Sequence, residues 1–185
     1  LADGALGASF YMQDDVTKKS NSYLLRSEDG GRSWGDAVVI GPGDHNETAL
    51  IRVGDGLMLA AARTQTDAHL DLFASEDEGC TWSLLGPVST AGQIPAHLLA
   101  LADGRILLVF GIRNQGLHGV GARFSDDGGR SWGRMRLLAG FGAGTDGGYP
   151  ASVQLEDGTI LTAHYAARVP HHHRYHMGVV LWRVD

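Results

Sequence analysis

Short apolar runs separated by turn-forming residues make up the sequence, and no stretch has the 3.6-residue periodicity of an amphipathic helix. Asp-Gly stands between two apolar runs at four places, and this arrangement is a strong signal for a β-hairpin. The four pairs are Asp3-Gly4, Asp55-Gly56, Asp103-Gly104 and Asp157-Gly158. The pattern therefore predicts an all-β protein built from successive hairpins.

An octapeptide of the form S-x-D-x-G-x-x-W occurs three times, beginning at Ser27, Ser75 and Ser125, which are 48 and then 50 residues apart. Ser and Asp side chains can bind nearby backbone N–H groups and fold the chain into a tight turn. The Trp supplies a large ring that can pack between sheets, so we expect Trp34, Trp82 and Trp132 in equivalent buried positions. Repetition at about 50 residues predicts a propeller or solenoid.

The Asp-Gly pairs alternate with the octapeptides along the chain, and this alternation predicts four-stranded units. In each unit Asp-Gly joins the first two strands and the octapeptide joins the last two. The units cover approximately residues 1–40, 41–88, 89–138 and 139–185; the first lacks its inner strand and the fourth lacks its outer strand. The fourteen predicted strands are 5–12, 22–27, 37–40, 47–53, 57–63, 70–75, a short strand after Trp82, 96–101, 106–112, 119–125, 134–138, 149–155, 159–165 and 176–183.

The octapeptide is similar to the Asp-box, or BNR repeat, and the chain resembles the sialidase superfamily of β-propellers. That resemblance implies four-stranded antiparallel blades, of which sialidases have six. The chain would then be one partial propeller domain, residues 1–185, of about four blades, similar to the C-terminal part of such a ring. Either upstream blades are absent or the open edges pair between copies, so a homo-oligomer is one expected partner.

Composition narrows the function classes. The chain has 185 residues with 43% hydrophobic content, enough for a core, and no apolar run of transmembrane length. A net charge of −6 without a basic run argues against nucleic acid as a partner. The single Cys80 excludes an internal disulfide. The compartment stays open, and a secreted or periplasmic location is compatible with these features.

Aligning the units on their Asp-Gly pairs places several reactive residues in register. Glu47 and Tyr149 each lie eight residues before the Asp, Arg63 lies seven after the Gly, and Arg113 lies two positions further in its own unit. In a propeller these positions face one mouth of the central channel. Two Arg residues can bind a carboxylate through bidentate hydrogen bonds, and a nearby carboxylate can take the proton of a nucleophilic Tyr.

The same four residues match the sialidase pattern. Sialidases carry a Glu followed by an Arg some sixteen residues later, as at Glu47 and Arg63, and another Arg in the next blade, for which Arg113 is the candidate. The nucleophilic Tyr precedes a strand and an Asp-Gly turn, as Tyr149 does. The resemblance implies an exo-α-sialidase that needs no cofactor or metal and acts on glycans carrying sialic acid or another acidic sugar. His97 is a candidate for binding a sugar hydroxyl.

Part of the family's site has no counterpart, because nothing here matches its first Arg or its acid/base Asp. Asp14 and Asp15 follow a strand but lie in the wrong blade, so a solvated loop is the preferred interpretation. Glu47 and Arg63 could form a structural ion pair, Arg113 could lie on the surface, and Tyr149 could be a packing residue. The histidines at 171–173 with His176 could bind metal, but a polar loop is preferred because no Cys or spaced carboxylate completes a site.

Two other functions stay open. One is a non-catalytic propeller that binds a glycan or a protein. The other is a different carbohydrate-active enzyme that acts on another acidic sugar.

Overall fold

The computed structural model describes residues 1–54, 56–142, 146–169 and 172–184. Within those residues the secondary structure consists of fourteen strands in four antiparallel sheets, with no helix. The chain divides into two compact units, residues 1–89 and 90–185, and each contains two sheets.

The first unit contains a three-stranded and a four-stranded sheet, each with its strands in sequence order. Its strands are β1 (Leu6–Gln13), β2 (Ser20–Ser27), β3 (Gly35–Gly41), β4 (His45–Arg52), β5 (Met58–Thr64), β6 (Leu70–Ser75) and β7 (Ser83–Pro87). Small side chains on β5 let the sheets approach, because Ala60 and Ala62 pack in one buried cluster with Leu24, Ile40 and Phe73.

The second unit has the same organisation, with its four-stranded sheet first. Its strands are β8 (Gln93–Ala100), β9 (Ile106–Asn114), β10 (Leu117–Ser125), β11 (Arg136–Gly142), β12 (Gly147–Gln154), β13 (Ile160–Ala166) and β14 (His176–Trp182). A buried cluster of Leu101, Leu107, Val109, Ala122 and Ile160 joins its two sheets.

All fourteen predicted strands are present with the predicted connections. The largest error in a strand boundary is at β11, predicted over 134–138 and observed at Arg136–Gly142. The Asp-Gly turns have the expected backbone, since Gly4, Gly104 and Gly158 have φ between +82° and +87°. The number of blades, the single partial propeller domain and self-association through open edges stay predictions. No helix in the described part of the chain is long and apolar enough to cross a membrane.

The three octapeptides form the same turn. In the third, the Ser125 hydroxyl and the Ser131 amide both donate to Asp127 Oδ1, at 2.8 and 2.9 Å. Hydrogen bonds led by the hydroxyl of Ser131 lower the pKa of Asp127 to about 2. Ser33 does the same to Asp29, whose pKa is also about 2. These carboxylates therefore serve the turns, as the sequence predicted.

The three tryptophans occupy equivalent positions, but the expectation that they would be buried is wrong. Each indole Nε1 donates to the carbonyl oxygen of the turn's own glycine at 3.1 Å. This bond holds the ring at the edge of the turn, so Trp34 is 42% exposed and Trp82 and Trp132 are half-buried.

Candidate active site

The strands β4, β8 and β12, each the first of its sheet, contain the same irregularity near their start. In β4, His45 pairs with Thr64 and Thr48 pairs with Ala62, so three steps on one strand oppose two on the other. The shift recurs between Gln93 and Ala96 in β8 and between Gly148 and Ala151 in β12. Such one-residue bulges re-aim side chains and are frequent next to active sites. The bulged segments carry Glu47, Pro95 and Tyr149.

Glu47 and Arg63 lie together in the first unit, as predicted. Arg63 Nη1 donates to Glu47 Oε2 at 2.8 Å, and the two side chains are 23% and 28% exposed. Arg63 Nε is buried and has no hydrogen-bond partner among the described residues. The pair is thus half-buried, and its geometry agrees with both a catalytic carboxylate and a structural ion pair.

Polar contacts hold the bulge that carries Glu47. The Glu47 amide donates to Asn46 Oδ1 at 2.7 Å. The Thr48 and Ser22 hydroxyls lie 2.6 Å apart, and Ser9 Oγ donates to the Thr48 carbonyl oxygen at 2.7 Å. The neighbouring strands β1 and β2 thus hold Thr48, the residue that follows Glu47 in the bulge.

Arg113 and Tyr149 lie together in the second unit. The Arg113 guanidinium carbon is 5.6 Å from the centre of the Tyr149 ring, and Arg113 Nη2 donates to the Gly147 carbonyl oxygen at 3.4 Å. The Tyr165 ring lies 5.8 Å from that of Tyr149. Tyr149 is 44% exposed and has φ +46°, in the left-handed region. A non-glycine residue there costs on the order of 1–3 kcal/mol, and such residues cluster at functional sites.

Asp146 adjoins this cluster, although no sequence motif indicated it. Its Oδ1 accepts a hydrogen bond from the Tyr165 hydroxyl at 2.9 Å and its Oδ2 accepts one from the Tyr175 hydroxyl at 2.8 Å. The bonds from Tyr175 and Tyr165, with the charge of Arg113, lower the pKa of Asp146. The pKa of Tyr165 is raised by burial and then by Asp146, and that of Tyr175 chiefly by the Asp146 hydrogen bond.

Two other candidates, His97 and Asp14, make local contacts, and a sugar-binding role for His97 stays a prediction. His97 Nδ1 accepts a hydrogen bond from the Ser152 amide at 3.3 Å, and burial lowers the pKa of this imidazole. Asp14 Oδ1 accepts hydrogen bonds from the Val16 and Thr17 amides in an exposed turn, in agreement with the loop interpretation. His171 lies outside the described residues; among those described, no three metal-binding side chains cluster.

The structure therefore places Glu47 beside Arg63 in one unit and Arg113 beside Tyr149 in the other. That the two pairs form one site stays a prediction.

Comparison with known proteins agrees with this architecture. Residues 1–162 match the family described as BNR repeat-like domain. A Dyadobacter fermentans protein of unknown function superposes with a TM-score of 0.82 and 26% identity, over 98% of this chain and 51% of its own. No curated protein sequence matches the chain.

Two solved enzymes share the fold at lower identity. Penicillium chrysogenum α-L-arabinanase, complexed with arabinobiose, has a TM-score of 0.77 and 19% identity over 98% of this chain and 59% of its own. A Hadza microbial sialidase has a TM-score of 0.67 and 19% identity over 97% of this chain and 35% of its own. At these identities the likeness shows the fold alone. The chain spans about half the length of the first of these structures and a third to three fifths of the others.

Proposed function

The chain belongs to the BNR repeat-like domain family, and from that premise we propose that it is a retaining glycoside hydrolase that releases terminal sialic acid. In this proposal Tyr149 is the nucleophile and Glu47 takes its proton. Arg63 and Arg113 bind the carboxylate of the sugar. The reaction needs no cofactor, because the two side chains supply nucleophile and base.

The recurrent bulge is the observation that carries the proposal. Glu47 and Tyr149 stand on the same irregularity of repeat-equivalent strands, where a bulge turns a side chain out of the regular sheet. Most retaining glycosidases use two carboxylates, and sialidases with a Tyr nucleophile are an exception. A neutral phenol can approach an anionic sugar without the repulsion that a carboxylate would meet.

Charge around Tyr149 favours this chemistry. The guanidinium of Arg113 stands 5.6 Å from the phenol ring, and a nearby positive charge stabilises the phenolate that attacks. In the first step the Tyr149 oxygen bonds to the anomeric carbon, Glu47 accepts the phenol proton, and the glycosidic bond breaks, so that an aryl substrate leaves as its phenolate. Water then attacks the anomeric carbon and breaks the sugar–tyrosine bond. Glu47 returns its proton to the Tyr149 oxygen, and the proton lost by the water goes to the solvent and the phenolate. None of the residues assigned here protonates the leaving oxygen.

A second candidate is a glycosidase that acts on a neutral sugar. The observation that favours it is Asp146, whose negative charge interacts with Arg113 and offsets part of the positive charge that an anionic substrate would use. The shared fold of the Penicillium arabinanase is compatible with this candidate. Under it, Arg113 and Asp146 together would bind sugar hydroxyls.

A substrate panel tests the proposal. The chain is assayed with an aryl α-sialoside, an aryl α-L-arabinofuranoside and an unactivated sialoside. We expect cleavage of the aryl sialoside, loss of that activity in Tyr149→Phe, and full activity in the control Tyr11→Phe, an exposed tyrosine on β1. The unactivated sialoside should react far more slowly, since general acid catalysis contributes about 10² to 10⁴ in rate.

The other outcomes separate the alternatives. Cleavage of the arabinofuranoside alone would replace the sialidase proposal with the neutral-sugar candidate. Binding of sialosides without cleavage of any substrate would identify a non-catalytic propeller. Sialoside cleavage that survives Tyr149→Phe would remove the nucleophile assignment.

A further inference from the structure

The second unit contains a cavity of about 640 Å³ that the sialidase proposal does not use. Asp146, Ala167, Arg168, His173, Arg174 and Tyr175 line it. Asp146 connects the cavity to the candidate site, because it also binds the hydroxyl of Tyr165, whose ring lies against Tyr149. The cavity thus lies one hydrogen bond and one ring contact from the proposed nucleophile.

Tyr175 gives the cavity an aromatic wall that is both exposed and anchored. Its side chain is 67% exposed, yet its hydroxyl donates to Asp146 Oδ2 at 2.8 Å and its ring lies 6.0 Å from that of Tyr165. An exposed ring held at its polar end loses little conformational entropy when a ligand packs on its face. Pockets lined by such rings and a few fixed polar groups are typical of small-molecule sites.

The charged groups of the cavity favour an anionic ligand. Arg168 and Arg174 supply two guanidinium groups against the one carboxylate of Asp146, and both oxygens of that carboxylate already accept hydrogen bonds. Among the described residues, the ion pairs of the structure involve neither Arg168 nor Arg174. Guanidinium groups in such a position can bind a carboxylate through two parallel hydrogen bonds.

We propose that this cavity is a subsite for a carboxylated sugar residue of hexuronic acid type, with the ring on Tyr175 and the carboxylate on Arg168 and Arg174. Binding of the sugar in this cavity does not depend on catalysis. The role of the cavity as the subsite next to the cleaved bond rests on the proposed glycosidase function. It would make the enzyme selective for acidic oligosaccharides.

Ligand-observed NMR tests the subsite without any turnover. The chain is titrated with methyl β-D-glucuronide, with methyl β-D-glucoside and with acetate, and each dissociation constant is measured. We expect the glucuronide to bind at least about tenfold more tightly than the other two probes, the difference expected for one charge-assisted hydrogen bond. If acetate bound as tightly as the glucuronide, the cavity would be a general anion site and not a sugar subsite. If the glucoside bound as tightly as the glucuronide, the arginines would have no role in binding the carboxylate.

Variants locate the binding. Arg174→Ala and Tyr175→Ala should each weaken glucuronide binding about tenfold or more, whereas Arg130→Ala, an exposed arginine in an octapeptide turn of the same unit, should not change it. Tyr149→Phe should leave glucuronide binding intact, which separates failure of the subsite from failure of the proposed catalysis. Unchanged binding in both Arg174→Ala and Tyr175→Ala would overturn the assignment.

Discussion

Replacing Glu47 and Arg63 singly and together distinguishes a catalytic carboxylate from a structural ion pair. The atoms lie 2.8 Å apart and the side chains are about a quarter exposed. Exposed pairs couple by about 0.2–1 kcal/mol, whereas removing one partner of a buried pair costs about 3–5 kcal/mol. After allowance for solvent screening, we expect Glu47→Gln to cost about 2 kcal/mol, which lowers Tm by about 4–8 °C in a chain of this length. The coupling energy in the cycle with Arg63→Met should be about 1–2 kcal/mol.

The catalytic rate of the same variants is the second measurement in this experiment. If Glu47 takes the proton of Tyr149, Glu47→Gln should slow aryl-sialoside cleavage by about 10² to 10⁴ at temperatures where the variant is fully folded. Arg52 and Glu78 offer a matched control in the same unit, because their ion pair is also 2.8 Å long. Glu78→Gln should lower stability without slowing catalysis.

Two results would refute this reasoning. A coupling energy near zero would show that the ion pair does not contribute to stability as its burial implies. A Glu47→Gln variant with reduced stability and an unchanged rate would make Glu47 a structural residue only.

Three other predictions concern an ionised hydrogen-bond network, an octapeptide turn and a packed glycine. Asp146→Asn should lower the pKa of Tyr175 towards its ordinary value of about 10. The pKa of Tyr165 should fall less, because burial also raises it. Tyrosinate absorbance measures both pKa values, and no change in either would contradict the Asp146 contacts. Because the pKa of Asp127 is lowered to about 2 in the folded protein, its ionised carboxylate stabilises the fold above about pH 4, and this contribution is lost as pH falls towards about 2. In Asp127→Asn the free energy of unfolding should therefore depend less on pH in this acid range. Gly121→Ala would bring its Cβ to 2.9 Å from the Phe110 ring and should cost about 1–3 kcal/mol, whereas Gly140→Ala meets open space and should be neutral in urea unfolding.

The sequence was sufficient to predict the strands because their turns carry local chemical signals. Asp-Gly and the S-x-D-x-G-x-x-W turn act within a few residues, so both can be recognised without tertiary structure. Burial of the tryptophans could not be predicted in the same way. The hydrogen bond from Trp34 to Gly31 competes with deeper packing, and only the structure shows which prevails.

The candidate site was predictable only in part. Register with the Asp-Gly pairs placed Glu47 with Arg63, since a hairpin brings both to the same end of a sheet. A bulge leaves no local sequence signal, because it exists only in the pairing of two strands. Asp146 and Tyr175 are 29 residues apart and meet through two loops and a hairpin. The one sequence feature that could have indicated Asp146 is its position three residues before Tyr149 in a glycine-rich segment.

Covalent trapping tests the central claim, that Tyr149 is the nucleophile of a retaining glycosidase, most directly. A sialosyl fluoride with a second fluorine beside the anomeric carbon forms the covalent intermediate, and the electron-withdrawing fluorine slows its hydrolysis through the oxocarbenium-like transition state. Peptide mapping by mass spectrometry should find one adduct, on Tyr149, that is absent from Tyr149→Phe and present in Tyr11→Phe. An adduct on Glu47, or turnover of an aryl sialoside without any adduct on Tyr149, would contradict the assignment.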